Sequence, residues 1–496
     1  MTPIAPTIRH YALAAAFGVV AACSSAPAQD APAANKPLEQ RVRELEATLR
    51  KMEAQRTVTV GADGVASLPP TVIGAAPAEP PPAFFLPDPP KEAKAPKPLA
   101  GWDDGFILRS ADDHFKLKIT GQVQADYRHY QNDTDTGDIN TFLVRRARLG
   151  IEATVWENYE LRLLPEFGQG NPRIVDSFVN VHYWDEFQFE AGKFKQAFSL
   201  EHLIQDRFVP TIERSIIDQL GPQRDVGVMI HGQKLCDDRL DYAFTVYNGT
   251  QGGDVDNDQH KEMSGRIAVR PFKTAAGDGL FDKLQFGLGA TDGNDNGVLF
   301  PAVYRTPLGV PFFQYAAGAR PDGTRWRVSP ELAYIYGPMS LSAQYYHDSQ
   351  QTRIAFDKVL GAAKSRVVAN GFFVMGTLIL SGEERTSLSQ TIDPLRPFDP
   401  RCGGGGAFEL VSRVSHVEFG DDDNPAAFAK LINRERTSRA ATEITNGFNW
   451  YLNKFVRLQF NWEHARFGDP IRLGGAGRAG RLDHQNTFST RFQVVF

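Results

Sequence analysis

What the 496-residue sequence lacks narrows its class first. It has three cysteines, Cys23, Cys236 and Cys402, and no C-x-x-C pair, so a structural zinc site is not expected. Beyond the N-terminus no stretch approaches the roughly 18 uninterrupted apolar residues of a transmembrane helix. Positive charge is not in excess: the formal net charge is -5, which gives no support for nucleic-acid binding. Neither a Gly-x-Ser-x-Gly elbow nor a metal-type histidine pair stands out, so no catalytic residue, metal ligand or cofactor is expected and the chain reads as no enzyme. Hydrophobic residues make up 42% of the chain. A mean hydropathy of -0.33 looks soluble in bulk. It does not argue against a membrane barrel, in which only alternate strand residues face lipid.

What is present is turn and aromatic material, with 44 glycines and 34 phenylalanines. The last ten residues set the pattern. Phe488, Phe492, Val494 and Phe496 fall on one side of a strand with Thr490 between them. Ser489, Arg491 and Gln493 fall on the other, and Val495 alone breaks the alternation. A period of two closing on a terminal Phe is typical of outer-membrane barrels.

The same alternation recurs from about Asp103 onward. In the first segment Phe115, Leu117, Ile119, Val123, Ala125 and Tyr127 form one face, and Lys116, Lys118, Gln122, Gln124, Asp126 and Arg128 the other. Further segments lie near 141–154, 159–167, 174–184, 186–196, 224–233, 239–248 and 261–271. Others lie near 283–291, 325–336, 339–349, 370–381, 407–419, 441–452, 455–467 and 487–496. The total is sixteen, an even number as bacterial barrels require. Short turns and long loops alternate between them, with one exception at 382–406. The fold expected is an all-β, 16-stranded transmembrane antiparallel barrel over 103–496.

Three segments precede it. Arg9 and His10 lead into an apolar run from Tyr11 to Ala22, the length of a secretory h-region. Two processing readings are open: cleavage after Ala26-Pro27-Ala28, giving a signal peptide over 1–28, or lipoprotein-type processing at Cys23. Both send the chain out of the cytoplasm, where Cys236 and Cys402 are candidates for a disulfide. Leu38, Val42, Leu45, Leu49 and Met52 repeat at steps of four and three, a short coiled coil over 36–56 that points to self-association. A Pro/Ala-rich, extended linker fills 57–102.

Two stretches hold the candidate chemistry. The connection 195–223 is too apolar for a free surface loop, with Phe198, Leu200, Leu203, Ile204, Phe208 and Ile212. Folded inward it narrows the lumen; packed on a neighbouring subunit it does not. Its cationic candidates are Lys195, His202, Arg207 and Arg214. The second stretch, Arg145-Arg146-Ala147-Arg148, places Arg146 and Arg148 in the lumen by parity. The same parity puts Arg145 on the other face, at the rim or a subunit contact, because charge on the lipid face is costly. A guanidinium stays charged and its planar fork fits phosphate. Paired with Glu152 or Asp126, these arginines are structural instead. Arg128, Lys116, Lys118, Arg305, Arg325 and Arg327 complete the candidate anion-binding set.

These residues resemble the phosphate-selective porin O/P family over roughly 103–496. The likeness is carried by Gly121-Gln-Val-Gln-Ala-Asp-Tyr127, Arg145-Arg146-Ala147, Gly192-Lys193-Phe194, Phe198-Ser-Leu-Glu201 and Glu213-Arg214. Later pieces are Leu380-Ser-Gly-Glu383, Gly406-Ala-Phe-Glu-Leu410, Asn449-Trp450-Tyr451 and Arg491-Phe-Gln-Val-Val-Phe496. The resemblance implies a homotrimer in outer-membrane lipid, an inward third loop and arginine-lined pores for inorganic phosphate or polyphosphate. It also implies that the barrel-assembly machinery engages the strand ending at Phe496. Arg145 and Arg146 match the family's arginine pair. Two features depart from it: arginines in the fifth loop region are dispersed around the apolar Pro311-Phe312-Phe313, and His202 stands where phosphate-selective members carry lysine. A general or carbohydrate porin, in which Tyr127, Trp184 and Phe208 matter more, and an envelope tether using the coil are the other functions open.

Overall fold

The computed structural model describes residues 99–131, 140–250, 255–277, 279–354, 363–421, 424–472 and 481–496. The expected signal peptide and coil, and all but the end of the linker, lie outside them. Sixteen strands form one antiparallel wall. In order they are β1 (Phe115–Tyr130), β2 (Thr141–Val155), β3 (Tyr159–Glu166), β4 (Arg173–Trp184), β5 (Phe187–Lys195) and β6 (Arg224–Lys234). They continue as β7 (Leu240–Tyr247), β8 (Glu262–Val269), β9 (Gln285–Asp295), β10 (Ala319–Tyr336) and β11 (Met339–Ile354). The last five are β12 (Ala363–Ile379), β13 (Ala407–Asp421), β14 (Ala440–Tyr451), β15 (Val456–Arg472) and β16 (Arg481–Val495). Each sequence segment with period two is a wall strand. β16 pairs back onto β1, with Thr487 opposite Tyr130 and Val495 opposite Gln122, so the barrel is closed.

The alternation explains the wall. Along β16, Phe488 and Phe492 are exposed to the outside, while Thr487, Ser489, Arg491 and Gln493 are buried inside. Phe496 exchanges backbone hydrogen bonds with Gly121, at 2.7 and 2.9 Å. Its ring lies so close to Gly121 that a Cβ there would stand 2.2 Å from it, so this close approach requires glycine. A small hairpin, Ala100–Trp102 with Phe106–Arg109, pairs with the start of β1 and sets Trp102 and Phe106 beside Phe496.

The connections keep the expected parity. Gly337-Pro338 joins β10 to β11 at one end, and the long third loop (196–223) and fifth loop (296–318) stand at the other. The long connection 380–406 joins β12 to β13 at the short-turn end, so the strand count holds and this turn is itself large. It is anchored rather than loose. Arg385 is fully buried and donates to Glu409 at 2.5 Å, and Glu409 also accepts from Asn449 and Tyr451. Its segment Thr386–Ser389 lines two cavities at the mouth, of about 450 and 500 Å³. Cys402, on the same connection, is a free exposed thiol, so no bridge to Cys236 forms.

At the other end the fifth loop folds over the wall as a hairpin, Val303–Arg305 with Pro311–Gln314. Phe312 and Phe313 are fully buried, and Phe313 stacks on Phe419 of β13 at 4.0 Å. The apolar run that departs from the family pattern is therefore packing material. The seventh-loop helix Pro425–Leu431 joins the same cluster, with Leu431 accepting from the Ala316 amide.

Candidate functional site

The third loop enters the lumen because its apolar residues find cover there. Phe198, Ile212, Ile216, Ile217 and Leu220 are all fully buried. Phe198 meets Tyr346 of β11 edge-on at 5.3 Å. Its backbone passes so close to Gly289 of β9 that a Cβ there would lie 2.0 Å from the Phe198 carbonyl oxygen.

A buried loop needs donors for its carbonyls. The wall supplies them. Gln493 donates to the carbonyl of Arg207 at 3.2 Å and Arg457 to that of Val209 at 3.1 Å. Asn449 and Gln459 donate to the carbonyl of Pro210 at 2.8 and 2.9 Å. Arg491 donates to Ile212, and Arg413 to Glu213 at 2.9 Å. Long polar side chains from β13 to β16 thus hold the loop across the pore.

Its charges complete the attachment. Glu213 faces four guanidinium groups: Arg145 at 2.7 Å, Arg491 at 2.8 Å, Arg128 at 3.3 Å and Arg146 at 3.4 Å. Asp206 pairs with Arg148, with Arg214 at 2.6 Å and with Arg146 at 3.4 Å. Asp126 adds pairs to Arg491 and Arg128, and Glu166 one to Arg148 at 2.7 Å. Six arginines therefore share four carboxylates. The surrounding guanidiniums hold Glu213 and Asp206 well below the usual carboxylate range, against a burial that opposes it.

Two expectations are corrected here. Arg145 does not lie on the outer face. A bulge between Gln124 and Ala125 of β1 shifts the register, so that Gln124 opposes Arg146 and Ala125 opposes Val144. Arg145 is the extra residue, and it and Arg146 both reach Glu213. Arg148 pairs with Glu166 and Asp206 rather than Glu152, which accepts from Arg162 at 2.9 Å.

The remaining candidates scatter. Lys195 donates to the carbonyls of His202, Leu203 and Ile204, closing the short helix Leu200–Leu203, and lines the cavity under the third loop. His202 is buried with Nδ1 3.0 Å from Asp218, and burial pulls its pKa down. Burial beside Asp218 pushes Glu201 up to about 7. Lys116 stands 3.9 Å from Asp103, and Lys118 makes no ion pair among the described residues. Arg305 is exposed and donates to the Gly309 carbonyl within the fifth loop. Arg325 and Arg327 do share the inner face, but Asp295, Asp348 and Glu262 neutralise them.

Arg207 differs from all of these. Its side chain makes no hydrogen bond or ion pair among the described residues, and its guanidinium lies 4.7 Å over the Phe208 ring. It lines both a 240 Å³ cavity under the third loop and the 450 Å³ cavity at the turn-side mouth. The counter-ions Asp206 and Glu213, and the donors Arg413, Asn449 and Gln459, did not emerge from the sequence. The one signal for them was chemical, since several lumen arginines demand buried acids somewhere in the chain.

No cluster of His, Cys, Asp and Glu suited to a metal occurs among the described residues, and no described helix is long and apolar enough to cross a membrane. A model of the phosphate-selective porin O and P family matches residues 117–496. No curated protein matches the chain. Among solved structures, in-vitro folded OmpT of Vibrio cholerae is 11% identical, over 79% of this chain and 99% of that one, with a TM-score of 0.48. The OmpF complex of Salmonella typhi with daunomycin is 10% identical, over 80% and 100%, with a TM-score of 0.46. At these scores neither likeness adds to what the closed wall establishes.

Proposed function

The chain belongs to the phosphate-selective porin O and P family and is an outer-membrane porin; from that premise we propose that it passes anions, with inorganic phosphate or its oligomers as the favoured solute. The observation that carries this is Arg207, whose side chain makes no hydrogen bond or ion pair among the described residues and lines the cavities under the third loop and at the turn-side mouth. A solute anion passing the loop meets a guanidinium that no carboxylate among the described residues pairs with. Planar guanidiniums suit phosphate oxygens, and several weak sites in series pass an ion without trapping it. The lining is thus partly structural: most of these arginines anchor the loop, and the selecting charge is what remains. Assembly as a homotrimer, and engagement of the Phe496 strand by the assembly machinery, belong to the same proposal.

A second reading is a general porin without phosphate preference. It is favoured by the neutralisation of Arg325 and Arg327. Chloride current through a single channel separates the two when phosphate is added. Block at low phosphate, weakened in Arg207→Ala, supports phosphate selection. Undiminished chloride current at high phosphate leaves the general porin.

A further inference from the structure

One acidic side chain of the lumen takes no part in holding the third loop. Glu190 of β5 is 7% exposed, and its carboxylate makes no hydrogen bond or ion pair among the described residues. It lines the 240 Å³ cavity under the third loop, which Arg207 also lines. The charged groups that act on it are Asp176, Arg162 and Glu160. Arg162 is already shared by Glu152 at 2.9 Å and Asp176 at 3.5 Å, and Arg224 of the same lining is held by Asp176 at 2.6 Å. Glu190 is thus left with carboxylates for neighbours and a guanidinium that is engaged elsewhere. A buried carboxylate without a partner is costly, and a cation supplied from outside removes that cost.

The other unused groups of this lining are of the opposite kind. The Arg207 guanidinium is unpaired among the described residues. Gln122 of β1 is 8% exposed, and its Nε2 is a buried donor with no acceptor among the described residues. The remaining charged side chains of the lining are engaged: Arg148 with Asp206 and Glu166, Glu152 with Arg162, and Lys195 with loop carbonyls. Donors suited to an oxyanion and an acceptor suited to a cation therefore share one cavity. Its lining also has an apolar part, where Phe178 meets Phe194 edge-on at 6.3 Å beside Met229. The volume falls below the roughly 300 Å³ at which pockets for drug-sized ligands begin, so the occupant is small.

We propose that this cavity is a binding subsite for a small zwitterion, an alkyl phosphate carrying an ammonium group, with the ammonium at Glu190 and the phosphate at Arg207 and Gln122. The phosphate end rests on the anion reading given above, and the ammonium end on Glu190 alone. A site built to pair a polar group rejects the analogue that lacks it, because its own buried group is then left unpaired. Glu190 thereby distinguishes an aminoalkyl phosphate from the plain alkyl ester.

The test compares 2-aminoethyl phosphate with ethyl phosphate as blockers of single-channel chloride current through the purified full-length protein at pH 7. In wild type the amine-bearing ester is expected to dwell about tenfold longer, the scale of one hydrogen bond to a charged group. Glu190→Gln, which keeps the shape and loses the charge, is expected to bring the ratio of dwell times to one, and Glu190→Asp to keep most of it. Equal dwell times in wild type overturn the proposal, as does a tenfold ratio that survives in Glu190→Gln. Block by 2-aminoethyl phosphate alone, with none by ethyl phosphate or inorganic phosphate, supports the zwitterion site and removes the phosphate reading of the pore. Equal block by all three does the reverse.

Discussion

Glu213 is one carboxylate facing Arg128, Arg145, Arg146 and Arg491, so Glu213→Gln leaves four guanidiniums crowded around a neutral amide. Breaking a buried charge pair from one side costs about 3 to 5 kcal/mol. The variant is expected to melt at lower temperature, and to conduct more, with a shift toward anions, since one negative charge leaves the lumen. Arg207→Ala removes a charge that anchors nothing. Its melting temperature is expected to stay put while the anion-to-cation permeability ratio falls about fivefold, the scale of a unit charge acting a few ångströms away in water. A fall in melting temperature without a change in selectivity would assign Arg207 to packing. At this scale the sequence was half legible. Inward placement of Arg146 and Arg148 followed from parity, whereas that of Arg145 did not, because a bulge lets two successive residues, Arg145 and Arg146, turn toward the lumen. Asp206 and Glu213 were hidden for another reason: apart from Arg214 on the same loop, their partners sit on wall strands far away in the chain, and spacing carries no trace of such contacts.

The third loop is the element on which selection depends, and its acid response follows from its carboxylates. Asp206 and Glu213 have folded pKa values below their unfolded ones. Their stabilisation is therefore whole above the unfolded range near 4, and is lost only as pH falls through the lower folded values. Glu201 runs the opposite way. Raised to about 7, it disfavours the packed loop as pH climbs from about 4.3 toward that value, while the lowered pKa of its neighbour His202 disfavours it as pH falls below about 6.5, so the two offset each other in this window. Mean conductance and current noise are expected to stay level from pH 7.5 to 5, and to rise only in stronger acid, where Asp206 and Glu213 take up protons. Opening between pH 7 and 5 would count against the carboxylate tether. The loop's inward fold was legible, since apolar residues at that density demand cover. The wall strands were legible too, because period two survives in a single sequence. The connection 380–406 read only as an exception, and its anchor, Arg385 on Glu409, joins two strands by a pair no local pattern announces.

For the whole molecule, the closed wall and the N-terminal region make separate claims. The barrel closes on itself through β16 and β1, with the Phe496 amide and carbonyl satisfied by Gly121. Deleting residues 30–97 is therefore expected to leave a conducting channel of unchanged unit conductance, measured in a planar bilayer. Loss of conduction on that deletion would favour a tethering role for the coil. The central claim is that the unpaired guanidinium of Arg207 beside the third loop makes the pore prefer anions. The most direct measurement is the reversal potential of the purified full-length protein in a planar bilayer under a tenfold KCl gradient. An anion-side potential, moved toward zero by Arg207→Ala, is the predicted result. A potential at zero or on the cation side, unmoved by that substitution, would contradict it and leave a general porin.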